Sequence, residues 1–320
     1  MMSLNSFRNS IALASAAISA VLLVIPAACS SGGLQHAGST LPTAAVDAAL
    51  LDLSLPGACS PDTISVKDLY VGEFGYGPYT NVVGIFQNGS FKKVGQIKLG
   101  IDHPYGIWVD SHGLYVANNF GPSITEYRSP NSKPFTYKAG MTSPQAVTTD
   151  GVGGVFEADL AGYVNEYGQK SNVVEKKCSV PGSASGIAMD SHGNVFVAYH
   201  SSGVGRIAEF TDFSYCTGQQ LGVTLGTPGG MAIDRNNHIV ISDLSKRTVD
   251  VIKPPYKTVS SLLGSHWTFP MDVAINAANN RSWIVDNGAV VDLYYPSGKV
   301  AATIGATYAV SAVDGNNYVP

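Results

Sequence analysis

One short stretch of text returns in altered form about every forty residues, and few folds accommodate that period. From Gly106 the chain reads GIWVDSHGLYVANN, from Ala146 AVTTDGVGGVFEAD and from Gly186 GIAMDSHGNVFVAYH. It reads GMAIDRNNHIVISD from Gly230 and DVAINAANNRSWIVDN from Asp272, and a partial copy, VSAVDGNNYVP, starts at Val310. The polar residue that closes the first apolar run falls at Asp110, Asp150, Asp190, Asp234, Asn276 and Asp314. Units of roughly forty residues have the size of propeller blades.

Each copy decomposes into strands. The opening run (Ile187-Ala188-Met189, Met231-Ala232-Ile233) is apolar on both faces, as an inner strand of a packed sheet must be. An Asp/Asn/Gly cluster follows, whose side chains and tolerance of positive φ make tight turns. A second strand (Leu114-Tyr115-Val116, Val195-Phe196-Val197) and a third ending in Glu126-Tyr127, Glu166-Tyr167 or Glu209-Phe210 come next. A weaker fourth strand completes the unit before Pro104, Pro144, Pro228 or Pro270 opens the next. Four strands per repeat is the blade of a β-propeller.

The ends set the number of blades. The stretch from Asp68 supplies second, third and fourth strands without a first, and the C-terminal copy supplies a first strand and little else. Joined, they make one composite blade, which with five complete ones predicts an all-β, six-bladed propeller closed by the C-terminal inner strand. Seven blades follow instead if Asn317-Tyr318-Val319 and the region of Ile64 and Val66 form extra strands.

With the text G-Φ-A-Φ-D-x-x-G-N-Φ-[YF]-V-[AS]-[DN] laid out, where Φ is apolar, residues 69–319 resemble NHL-type repeats. That resemblance implies the propeller and says little of activity, because such folds host many functions. H-P-Y-G around Pro104 and P-M-D-V around Asp272 look like pieces of the peptide-amidating lyase, a propeller with a histidine zinc site. The positions matching His103 in other blades are Ser143, Ser183, Thr227 and Phe269, so the rest of that set is missing. The gluconolactonase-like and streptogramin-inactivating families match in repeat type or residue types, not in their catalytic motifs.

Residues 1–28 read as an export signal: Arg8, then an apolar run from Ile11 to Ile25 that is too short for a membrane span. Pro26-Ala27-Ala28-Cys29 and the small residues after it resemble a bacterial lipoprotein signal, which implies lipidation of Cys29. Pro26 departs from that pattern, and cleavage by ordinary signal peptidase, with simple secretion, is the alternative. Residues 29–60 read as a flexible, lipid-anchored tether, and 61–320 as the propeller. The expected location is extracytoplasmic, on the membrane through the anchor or secreted.

Cys59, Cys178 and Cys216 remain beyond Cys29, and an oxidising compartment permits one disulfide, for which Cys178 and Cys216 in neighbouring blades are the candidates. The net charge is −4, with no basic run longer than Lys92-Lys93 or Lys176-Lys177, so a surface that tracks nucleic-acid phosphates is not expected.

The ends of the second strands bring Glu73, Asn118, Asp159, Tyr199, Asp243 and Asp286 to equivalent positions. Rotational symmetry turns the polar five, Glu73, Asn118, Asp159, Asp243 and Asp286, into a candidate ring at the channel mouth. Oxygen ligands so arranged could hold calcium; His103, His200 and His266 could approach the axis and offer zinc a site. The competing reading is that each acid bonds amides of its own blade. His112, His192 and His238 read as turn residues. Aromatic residues Tyr70, Phe74, Tyr76, Tyr79 and Phe86 cluster in the first unit, as a contact surface or as cover for the ring joint.

The sequence therefore points to a non-enzymatic binding scaffold, monomeric and without a cofactor or catalytic residue, for a protein, peptide or glycan. A divalent-metal lactonase or lyase at the channel mouth, using calcium or zinc, is the alternative.

Overall fold

A computed structural model describes residues 64–314, apart from 66, 75–80, 88–89, 265–266 and 277–280. The expected signal and tether, Cys29, Cys59, His266 and Asn317-Tyr318-Val319 lie outside the described residues. So do Tyr76 and Tyr79.

The chain forms a ring of six four-stranded antiparallel blades. Blade 1 contains β1 (Leu69–Glu73), β2 (Val82–Phe86) and β3 (Lys93–Ile97). Blade 2 is β4 (Pro104–Val109), β5 (Leu114–Asn118), β6 (Ser123–Tyr127) and β7 (Phe135–Tyr137). Blade 3 is β8 (Pro144–Thr149), β9 (Val155–Asp159), β10 (Tyr163–Tyr167) and β11 (Val174–Ser179). In blade 4, β12 (Ser183–Met189), β13 (Val195–Ser201) and β14 (Val204–Asp212) lead through a 3₁₀ turn to β15 (Thr217–Gln220). Blade 5 is β16 (Pro228–Ile233), β17 (Ile239–Asp243), β18 (Thr248–Ile252) and β19 (Val259–Leu262). Blade 6 is β20 (Pro270–Asn276), β21 (Arg281–Asp286), β22 (Gly288–Tyr294) and the first part of β23 (Lys299–Asp314).

β23 serves two blades. Its start pairs with β22, Thr303 opposite Val291, and its end pairs with β1, Ala312 opposite Val71. The C-terminal strand is thus the inner strand of the N-terminal blade, and the count is six. Ile64 adds no blade: its N–H donates to the Arg128 carbonyl at 3.3 Å, and its side chain packs against the cluster between blades 1 and 2.

The pairing corrects one alignment. Gly106 faces Ala117 as Ser311 faces Gly72, and Val109 faces Leu114 as Asp314 faces Leu69. Asp314 therefore occupies the place of Val109, one residue short of the turn position of Asp110. Comparing text alone hides the slip, because the strand that sets the register of Asp314, Leu69–Glu73, lies at the other end of the chain. A β-bulge sits in this inner strand of every blade. Each inner strand loses register near its start: after Pro104, Pro144, Ala184, Pro228, Pro270 and Ala309. A bulge of this kind bends the strand and re-aims the extra side chain.

Burial follows the radius. Second strands such as β5, β9 and β17 are buried throughout, whereas outer strands such as β15 are exposed along their length. Six apolar clusters fill the molecule, each shared by two neighbouring blades. Leu69, Val71 and Ala312 of blade 1 pack on Trp283 and Val285 of blade 6, and Tyr70, Val83 and Val313 pack on Ile107 and Val116 of blade 2. Of the first-unit aromatics, Tyr70 and Phe86 are core residues. Neighbouring blades are also tied by phenols: Tyr127 donates to the Leu99 carbonyl and Tyr167 to the Ala139 carbonyl, each at 2.6 Å.

A disulfide joins Cys178 at the end of β11 to Cys216, with Cα atoms 5.3 Å apart. Cys216 stands in the turn before β15 rather than within the strand, at φ 53°, and this turn carries it to the neighbouring blade. Replacing both cysteines by alanine frees a loop of 38 residues in the unfolded chain. Chemical denaturation should show a loss of about 2–4 kcal/mol.

Burial also raises several carboxyls. Glu157, fully buried in β9, is held well above the usual carboxylate range by desolvation and by the charge of Asp159. One of its oxygens accepts from Asn165 Nδ2 at 2.8 Å and the other has no partner among the described residues. Burial pushes Asp272 up to about 7. A raised folded pKa means that the native state binds more protons than the unfolded chain, so stability falls as pH climbs from about 4 towards 7. The melting temperature should therefore be lower at pH 7.5 than at pH 5.5. Glu157→Gln should flatten that slope and raise stability at the higher pH.

Candidate functional site

Four of the five ring residues turn back onto the link that precedes their own blade's inner strand. Asn118 Oδ1 accepts the Asp102 N–H at 2.9 Å, and its Nδ2 donates to Thr125 Oγ1 at 3.1 Å. Asp159 Oδ2 accepts from Thr142 and Ser143 at 2.6 and 3.0 Å, while Oδ1 accepts from Ala161. Asp243 takes the N–H groups of Gly226 at 2.6 Å and Thr227 at 3.0 Å, and Asp286 takes those of Thr268 and Phe269. The fifth, Glu73, points away from the axis. Its carboxylate lies against Gly84 of β2 and pairs with Lys93 of β3 at 2.6 Å. The structure does not assemble these five into one oxygen cage. Among the described residues, no three His, Cys, Asp or Glu side chains cluster closely enough to hold a metal ion.

The turn aspartates do parallel work at the opposite end of each blade. Asp110, Asp150, Asp190 and Asp234 each use one oxygen to accept two or three turn amides. In two of them the second oxygen reaches the next blade: Thr149 donates to Asp110 at 2.7 Å and Tyr295 to Asp234 at 2.6 Å. His112, His192 and His238 lie beside these carboxylates, as turn residues.

His103 heads blade 2 with φ 56°, a left-handed conformation uncommon outside glycine. Its Nδ1 is 2.8 Å from Asp102 Oδ1, and its ring lies between Phe74 and Phe120, at 4.5 and 3.9 Å between centroids. His200 is half-buried at the end of β13, paired with Ser183. Around this end of the ring, Tyr105, Phe120, Leu160 and Phe269 are 38–65% exposed, a band of apolar surface about the channel mouth.

The bulges open the channel itself. The extra residue of five inner strands (Tyr105, Gln145, Ser185, Gly229, Met271) lines a cavity of about 230 Å³ on the axis. The next position is small because adjacent inner strands nearly touch there. A Cβ on Gly106 would lie 2.6 Å from the Ala146 Cα, and one on Gly186 would lie 2.7 Å from the Gly229 carbonyl oxygen. Gly106, Ala146, Gly186 and Gly230 obey that limit; blade 6 has Asp272. Its Oδ1 accepts the Val273 N–H at 2.9 Å and packs where Gly230 has no side chain. Its Oδ2 accepts the Ala312 N–H of blade 1 at 3.0 Å. Sequence reasoning passed over Asp272, although an acid at the repeat's small position was the signal available.

No protein-family model matches the chain, and no curated protein matches it significantly. Solved structures do resemble it. A chain in the crystal structure of a nidogen/laminin complex superposes with a TM-score of 0.63 at 14% identity, over 77% of this chain and 97% of its own. Virginiamycin B lyase from Staphylococcus aureus matches at a TM-score of 0.49 and 14% identity, over 62% and 68%. At this identity the likeness shows the six-bladed fold alone, and NHL-type membership stays a resemblance of sequence text.

Asp243→Ala leaves the Gly226 and Thr227 amides without their acceptor. A loss of about 1–3 kcal/mol should appear in urea unfolding, and EDTA should leave the melting temperature of the unmutated protein unchanged.

Proposed function

We propose that this propeller is an exported, membrane-anchored binding scaffold that meets a protein or peptide, or alternatively a glycan, through its channel-mouth face. The observation that carries the reading is the engagement of Asn118, Asp159, Asp243 and Asp286 by their own loop amides. With those oxygens occupied, the face offers aromatic and apolar contact rather than a charged reaction centre. Large rings presented on rigid loops are suited to contact energy. The disulfide between Cys178 and Cys216 accords with an oxidising location outside the cytoplasm. The nidogen/laminin complex is a precedent of fold for a propeller in a protein assembly. The competing reading, a lactonase or lyase built on calcium or zinc, needs the same carboxylate oxygens for the ion.

The test is a pull-down from an envelope extract with immobilised propeller. Wild type and Val152→Ser, altered at a turn remote from the mouth, should retain the same partner. A Phe120→Ser, Leu160→Ser, Phe269→Ser variant should lose it at least tenfold. Equal retention by all three would remove the mouth face from the reading. Stoichiometric metal, with turnover abolished by Asp159→Ala in a folded protein, would favour the enzyme instead.

A further inference from the structure

Among the described residues, the axial cavity carries an acid that no counter-charge faces. Among its described lining residues the ionisable groups are Asp272 and the phenol of Tyr105; the remainder are apolar or neutral, with Gln145 and Ser185 as polar exceptions. Asp272 stays partly accessible from the channel although it sits deep in the wall. Its desolvation is offset only by the N–H groups of Ala312 and Val273. Charged groups on the strands packed against β20 are engaged elsewhere. Asp243 and Asp286 face their loop amides, Arg281 pairs with Asp292, and Lys299 lies exposed at the outer end of β23. A buried carboxylate without a counter-charge is costly, and an arriving cation relieves that cost.

We propose that the channel is the binding site of a small organic monocation with an apolar body, an amine or quaternary ammonium, whose charge rests on Asp272. Met271 and Phe269 at the mouth and Ile107 and Met231 along the wall enclose the apolar part. The volume of about 230 Å³ suits a single ring with a short arm. This site does not depend on the scaffold reading, since a partner could be lost from the outer face with the channel unaffected.

Because burial holds the Asp272 carboxyl near 7, cation binding should release protons and strengthen with pH. Isothermal titration of the folded propeller with benzylammonium, and with benzyl alcohol as its neutral counterpart, tests this. Benzylammonium should bind at least tenfold more tightly than the alcohol at pH 8. Its affinity should rise about tenfold from pH 6 to pH 8, following ionisation of one group at about 7. Asp272→Asn, which keeps the shape and an acceptor for Ala312, should erase both the preference and the pH dependence. Should that variant fail to fold, the wild-type pH profile and the amine–alcohol comparison still decide. Equal binding of the two probes, binding of neither, or a pH-independent affinity would overturn the proposal.

Discussion

Antiparallel pairing between β1 and the end of β23 is the constraint on which the rest of the molecule depends. Strand Leu69–Glu73 has no inner neighbour from its own stretch of chain, and Ala309–Asp314 has no blade of its own. Each supplies what the other lacks. The pairing also completes two of the six apolar clusters, because Ala312 packs toward blade 6 while Val313 packs toward blade 2. Ser311 and Asp272 add polar bridges on either side, to the Pro104 carbonyl and from the Ala312 N–H. The axial cavity has a closed wall only because this strand stands in it.

Much of this architecture was legible in the sequence, for a physical reason. A blade must present the same faces to its two neighbours, so apolar and turn positions recur at fixed spacing, and the period survives even where individual residues drift. The split blade could be read from which strands were missing at each end. What could not be read is local geometry that repeats without a residue signature. The inner-strand bulge occurs in all six blades, and in five of them the extra position holds Tyr105, Gln145, Ser185, Gly229 and Met271, residue types with nothing in common. Missing that bulge left the channel lining unseen, and Asp314 was misplaced by one residue because its partner strand, Leu69–Glu73, lies at the opposite end of the chain.

The polar residues give a second lesson about repetition. Identical acids at symmetric positions invite the idea of a shared centre, yet Asp159, Asp243 and Asp286 each cap a link of their own blade. A repeated residue answers a need that every repeat has, and here that need is an acceptor for amides in the turn entering the inner strand. Asp272 is informative for the opposite reason. It departs from the small Gly, Ala or Ser of its counterparts, and it can do so because Gly230 next door leaves room for its carboxylate.

Leu69 and Asp314 face each other directly across the closing pair. The beginning and end of the ring are thus neighbours in space, and which link between blades is left uncut is a matter of genetic arrangement rather than mechanics. A gene rewired to bridge those two residues with a short glycine-rich segment, and opened instead at the exposed connection near Asn131, would circularly permute the polypeptide while preserving every contact between adjacent blades. Such a molecule would convert the present noncovalent clasp into a continuous one and move the fraying point away from the axis-lining acid.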